Sequence, residues 1–194
     1  MLWRYGRRGR GLKAPMIQHV NVKIFAESPE GVDLSAAVAV FQRWIRESVC
    51  EELPIDVVDY RHVPAGPGVV LVGHEANYSL DTGGNRLGLL YNRKAPLSGS
   101  DEQNIAQALL AAQAACRRLE EEPEFAGSLK FGRDFEIAIN DRALAPNTDE
   151  AFAALKPAIE SALRALDGGV EFQLERLGEA RERLRIGVRA RREN

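Results

Sequence analysis

Residues 55–94 read IDVVDYRHVPAGPGVVLVGHEANYSLDTGGNRLGLLYNRK, and how this stretch is parsed decides the fold. Three β-rich apolar runs, 55–63, 69–80 and 86–94, are separated by clusters of Pro, Gly, Asn and Asp, the sequence sign of a strand meander. The first connection, Pro64-Ala65-Gly66-Pro67-Gly68, suits no regular element. The second contains Gly83-Gly84, and glycine supplies the positive φ that a two-residue hairpin turn requires. Such a turn sets Leu80 opposite Leu87, Tyr78 opposite Leu89, Ala76 opposite Tyr91 and His74 opposite Arg93. It sets Asp81 opposite Arg86, Asn77 opposite Leu90 and Glu75 opposite Asn92 on the other side. The first set is mostly apolar and the second mostly polar, so one face of the meander is expected to meet helices and the other to stay open.

Outward from the meander, Val20–Ala26 (VNVKIFA) alternates as a strand with Val20, Val22, Ile24 and Ala26 on one face. Asp33 precedes an amphipathic run, with Leu34, Val38, Phe41, Ile45 and Val49 at helical spacing, and is the expected N-cap. That helix must stop before Leu53-Pro54. A second helix is expected over 101–121, capped by Ser100 or Asp101, followed by a strand at 135–140. A third helix, opened by Pro146-Asn147-Thr148 and running to Leu166, contains Pro157, which should kink or restart it. Strands at 170–176 and 184–189 close the chain. Strand, helix, strand, strand therefore occurs twice: Ile24 aligns with Ile137, Asp33 with Thr148, Arg61 with Arg176 and Gly73 with Gly187, at a nearly constant separation. This points to a duplicated βαββ unit. The expected fold is α+β: two βαββ-like halves, 16–94 and 132–190, joined by the helix at 101–121. They form one domain, a largely antiparallel sheet of about seven strands with three helices mainly on one face.

Composition bounds function. The chain has 194 residues, 45% hydrophobic and 28% charged, with a formal net charge of −2, ordinary values for a water-soluble domain. The near-neutral balance argues against generic nucleic-acid affinity, although Arg4, Arg7, Arg8, Arg10 and Lys13 crowd the start. Residues 1–15 form a basic Gly/Arg leader with little to bury, expected to be disordered, and Met16 is an alternative start. No apolar run is long enough to span a membrane. Cys50 and Cys116, unpatterned and far apart, read as buried thiols of a cytoplasmic protein.

The candidate site lies in the meander: Asp59, Arg61, His62, His74, Glu75, Asn77, Tyr91, Asn92 and Arg93. His62, His74 and Glu75 form the only His/carboxylate grouping, but alternation puts His74 and Glu75 on opposite faces and no metal-ligand spacing occurs, so neither a metal nor a cofactor is expected. There is no nucleophile elbow and no phosphate loop. Tyr60, Tyr78 and Tyr91 could form a stacking platform, but two of them fall on the core face. Asp59, Arg61, Glu75, Asn77, Asn92 and Lys94 are expected to share the outer face of the meander, where mixed charges on neighbouring strands first of all form cross-strand pairs, the alternative being a polar pocket or partner surface. The reading is a non-catalytic binding or interaction protein that takes a small molecule or protein partner through the meander, or pairs as a homodimer through the open face or an edge strand. The alternative is a hydrolase or transferase built on His62, His74 and Glu75 with Arg61 or Arg93.

Overall fold

A computed structural model describes residues 17–167 and 169–191; the basic leader and its expected disorder lie outside the described residues. Eight antiparallel strands form one sheet: β1 (Val20–Ala26), β2 (Pro54–Tyr60), β3 (Gly68–Gly73), β4 (Ala76–Asp81), β5 (Gly88–Arg93), β6 (Phe131–Ile139), β7 (Phe172–Leu177) and β8 (Leu184–Ala190). Their order across the sheet is β2-β3-β4-β5-β1-β6-β8-β7. Three helices, α1 (Ala36–Glu47), α2 (Asp101–Glu121) and α3 (Asp149–Leu166), pack on one face. The fold is therefore α+β, with an open sheet as the sequence indicates.

The alternation of β1 explains its central place. Val20, Val22 and Ile24 are buried beneath α2, while Asn21, Lys23 and Phe25 point to the side without helices. Residues in register with the first set, Leu89 and Tyr91 of β5 and Ile137 and Ile139 of β6, continue the core across the sheet. Phe41 and Trp44 of α1, Ile105 and Leu109 of α2, and Leu155 and Ile159 of α3 fill it from the other side. Burying such side chains contributes roughly 1.5–3 kcal/mol each.

Helix boundaries follow from local chemistry. Ser100 caps α2 in a reciprocal box: its hydroxyl accepts from the Gln103 N–H, and the Gln103 side chain accepts from the Ser100 N–H. Thr148 caps α3 by accepting from the Ala151 N–H. Helix α1 starts two residues later than an Asp33 cap implies. Ser35 is its N-cap, and Asp33 instead accepts from the Ser35 N–H and hydroxyl. Pro157 does not restart α3, which is one helix across it; the Ala153 carbonyl, which loses its i+4 donor there, is on the exposed side of the helix, open to water.

The meander departs from the expected pattern in two ways. The run 69–80 is two strands, because the chain reverses at His74-Glu75, and this makes eight strands where about seven were expected. The connection between β4 and β5 is also longer than a two-residue turn. Residues 82–87 include a single 3-10 turn at Gly83–Asn85 with Gly84 and Asn85 at positive φ, so Leu80 pairs with Leu89, Tyr78 with Tyr91, Ala76 with Arg93 and Asn77 with Asn92. The slip is two residues. Side chains alternate with a period of two, so the residues of β4 and β5 keep their faces although their partners change. At Gly68, φ is +65° and a Cβ would lie 2.0 Å from the Leu80 carbonyl oxygen, so only glycine fits where β3 starts beside β4.

The element order β1-α1-β2-β3 recurs as β6-α3-β7-β8. In the sheet β8 lies directly beside β6, whereas the hairpin β4–β5 stands between β3 and β1. Arg61 falls in the turn after β2 while Arg176 lies within β7, so the residue correspondences do not hold throughout.

Candidate functional site

The chain's chemistry-bearing residues divide between the two faces of the sheet. On the open face, register brings three asparagines into one row: Asn77 of β4 is opposite Asn92 of β5, which is opposite Asn21 of β1. Beyond β1 the row continues through Asn140, whose Nδ2 donates to Asn21 Oδ1 at 3.2 Å, to Arg183, whose guanidinium donates to Asn140 Oδ1 at 3.0 Å. Asn21 is 2% exposed although no helix covers it. Gly73 N–H donates to Asn77 Oδ1. Each carboxamide can make four hydrogen bonds, and of the three asparagines in register the half-buried Asn77 and Asn92 are the ones that reach solvent.

Beside this row the Lys23 ammonium donates to Asp81 and to the Gly83 carbonyl, and Asp81 also accepts from the Gly83 N–H. Arg185 pairs with Glu136 at 3.3 Å. The Arg86 guanidinium stacks on the Phe25 ring, 3.5 Å from its centroid. Gly83, Gly84 and Arg86 on one side and Glu182 and Arg183 on the other wall a trough of about 580 Å³ floored by Asn21, Lys23, Leu90 and Ala138. It shares Phe25 and Arg86 with a wider hollow of about 1420 Å³ that reaches Arg133, Arg189 and Arg191. Together they follow the length of β1.

On the helix side, Tyr91 and Arg93 converge on a residue that sequence reasoning missed. Glu52, in the connection between α1 and β2, has a side chain only 7% exposed. It accepts from the Tyr78 hydroxyl at 2.6 Å through Oε2 and from the Tyr91 hydroxyl at 2.8 Å through Oε1. Gln107 Nε2 stands 3.4 Å and an Arg93 nitrogen 3.7 Å from the same Oε1. Burial, and then the neighbouring carboxylate, push the Tyr78 hydroxyl far above its ordinary range. Burial likewise pushes Tyr91 up to about 12. Both phenols hold their protons at neutral pH and act as donors. Nothing in the Glu-Glu-Leu run at 51–53 singles out Glu52 by pattern.

The other expected residues scatter. Asp59 pairs across to Val69, which faces the helices, so Asp59 is not on the open face. It holds Arg61 in a local ion pair at 2.8 Å, and the Arg61 hydrogen bond keeps its carboxyl low, at about 2. His74 and Glu75 form the tip of the β3–β4 hairpin and pair with each other at 3.2 Å; that bond holds Glu75 below its usual range. His62 lies in the turn after β2, at the opposite end from His74. The seven residues of β2 separate the two by roughly 20 Å. The Lys94 ammonium donates to the Gly73 carbonyl. The third histidine, His19, is buttressed: its Nδ1 lies 2.6 Å from Asp141 Oδ1, while Asp141 Oδ2 accepts from the Gln18 and His19 N–H groups. Among the described residues no group of three His, Cys, Asp or Glu side chains is placed to hold a metal ion.

Comparison of the chain with protein-family models, with curated proteins and with solved structures finds no match in any of the three. No described helix is long and apolar enough to cross a membrane.

Proposed function

We propose that this chain is a non-catalytic binding protein whose partner is a protein offering an extended polar segment, laid along β1 in the open-face trough. Asn21 and Arg183, which line the trough, carry this reading together with Asn92, Asn77 and Asn140, the neighbours that complete the row across β1. A chain lying along β1 crosses this row and meets amide donors and acceptors of the kind a peptide backbone uses, and the trough's length suits an extended chain better than a compact metabolite. The charged groups beside it are already paired, Lys23 with Asp81 and Glu136 with Arg185, so they orient a partner instead of driving chemistry. A hydrolase or transferase centred on His62, His74 and Glu75 needs those groups within hydrogen-bond reach of one substrate atom. The length of β2 and the local His74–Glu75 pair weigh against it.

The experiment is native mass spectrometry of the protein isolated from its own source. A bound protein is expected that is lost from an Asn21→Leu/Asn92→Leu double variant and retained by Glu75→Ala. Equal retention by all three would remove the trough from consideration.

Self-association is a second reading, carried by a separate observation. Edge strand β2 and its flanks contain Leu53 at 65% and Ile55 at 56% exposure, with Tyr60 and Val63 also exposed. An apolar edge with unpaired backbone groups is a pairing template. Sedimentation equilibrium should then show a dimer that Ile55→Lys dissociates; a monomer at all concentrations sinks this reading.

A further inference from the structure

On the helix side, α1 and α2 diverge over the meander and leave a cleft of about 710 Å³, within the usual range for small-molecule sites. Its walls are apolar: Trp44 and Val49 on one side, Ala106, Leu110 and Ala111 on the other. Leu110 is 52% exposed, a large apolar side chain left to solvent at the cleft. The floor is polar and converges on one acceptor, the Glu52 carboxylate, with the Tyr78 hydroxyl and the Gln107 amide beside it and the buried Tyr91 hydroxyl behind it.

We infer that this cleft is a binding site for a small, neutral, largely apolar molecule carrying one hydrogen-bond donor, such as a phenol or an alcohol, whose proton is received by Glu52. The charge balance selects this class. The lining holds two carboxylates, Glu51 and Glu52, and two guanidinium groups, Arg117 and Arg118, so it favours neither sign, and an anion on the floor would be set against Glu52. For a cation, Arg93 already lies 3.7 Å from Glu52 Oε1, and Arg117 and Arg118 also line the cleft, so a second positive charge gains little. Tyr78 and Tyr91 spend their protons on Glu52, which leaves the floor presenting acceptor lone pairs instead of donors. The apolar walls supply affinity without orientation, and the Glu52 carboxylate, buried on the floor, supplies orientation. This site is on the opposite face of the sheet from the asparagine row and does not depend on it.

The test uses three probes of one shape: 1-naphthol, 1-methoxynaphthalene, which lacks the donor, and 1-naphthoate, which carries a negative charge. Binding is followed by calorimetry and by backbone amide shifts in the ¹H–¹⁵N spectrum of the full chain. Naphthol is expected to bind at least about tenfold tighter than methoxynaphthalene, because a hydrogen bond to a charged group exceeds a tenfold effect. It should shift the amides of Glu52, Gln107 and Ala111, and naphthoate should bind least. Ala111→Phe fills the cleft and is expected to abolish binding. Ala114→Phe, at an exposed position in the same lining, provides a second block should Ala111→Phe fail to fold. Absence of naphthol binding overturns the proposal, as does binding that survives both blocks. Equal affinity for naphthol and methoxynaphthalene overturns the assignment of Glu52 as the acceptor.

Discussion

Replacing Tyr78 or Tyr91 by Phe removes one hydroxyl and leaves the ring, so the pair of variants weighs the Glu52 cluster directly. A hydrogen bond to a charged group contributes about 1.5–3 kcal/mol, and the two oxygens of Glu52 differ in what remains after each change. Oε1 loses Tyr91 but keeps Gln107 at 3.4 Å and Arg93 at 3.7 Å. Oε2 loses Tyr78, its donor at 2.6 Å. Tyr78→Phe is therefore expected to cost about 3 kcal/mol and Tyr91→Phe about 1–1.5 kcal/mol. For a chain of this size that corresponds to a fall in Tm of roughly 6–12 °C against 2–6 °C. Urea unfolding at pH 7 with calorimetry on the same samples measures both. The alkaline limb gives an independent check. Tyr91 has its pKa raised on folding, so the stability it contributes is complete below the unfolded value, about 10, and is lost as pH rises toward the folded value of about 12. Tyr91→Phe should flatten that part of the profile. A Tyr91→Phe cost equal to or above that of Tyr78→Phe would refute the placement of Glu52, as would two costs below about 0.5 kcal/mol, far under what a hydrogen bond to a buried charge contributes.

Three further outcomes follow from the geometry. Lys23→Met leaves Asp81 with its charge and little solvent, and should cost about 3 kcal/mol, most of it recovered in Lys23→Met/Asp81→Leu; a double-mutant cycle by chemical denaturation reads the coupling. Asp141 is pushed up by burial but held below its usual range by hydrogen bonds from His19 and the Gln18 and His19 N–H groups. Its contribution is present above the unfolded value, about 3.9, and fades as pH falls through the lower folded value, so Asp141→Asn should flatten the stability profile below about pH 4. Burial raises the thiol of Cys50 to about 12 and that of Cys116 well above its ordinary value, so both should react with a disulfide reagent at pH 8 far more slowly in the native protein than in urea.

The alternation of VNVKIFA, a cap at Ser100 or Asp101 and the opening of the third helix at Pro146-Asn147-Thr148 were legible because each is written within a few adjacent residues; the part played by Gln103 in the Ser100 box was not anticipated. The faces of β4 and β5 were also legible, since a slip of two preserves them; that of Asp59 was not, because the reversal at His74-Glu75 flips the alternation of β3 and of β2 beside it. The partners were not: residues 82–87 form a longer connection than Gly83-Gly84 alone implies, and His74-Glu75 carries none of the residues that mark a hairpin turn. Asn77 and Asn92 were recognisable as polar positions on the open face. Asn21 and Asn140 join them only through the β1–β5 and β1–β6 pairings, which bring distant segments together. Glu52 was invisible for the same reason. Its role comes from two tyrosines 26 and 39 positions away, which face one carboxylate only once β4 and β5 lie side by side.

The measurement that bears most directly on the open-face account is site-specific photo-crosslinking in cells of the protein's own source. A photoreactive residue at Leu90, in the trough floor, is compared with one at Val38 on α1. The account predicts a discrete crosslinked protein from position 90 alone, diminished when Asn21 and Asn92 are changed to Leu. Crosslinking from position 38 with none from position 90, or a product at 90 indifferent to the asparagines, would contradict it.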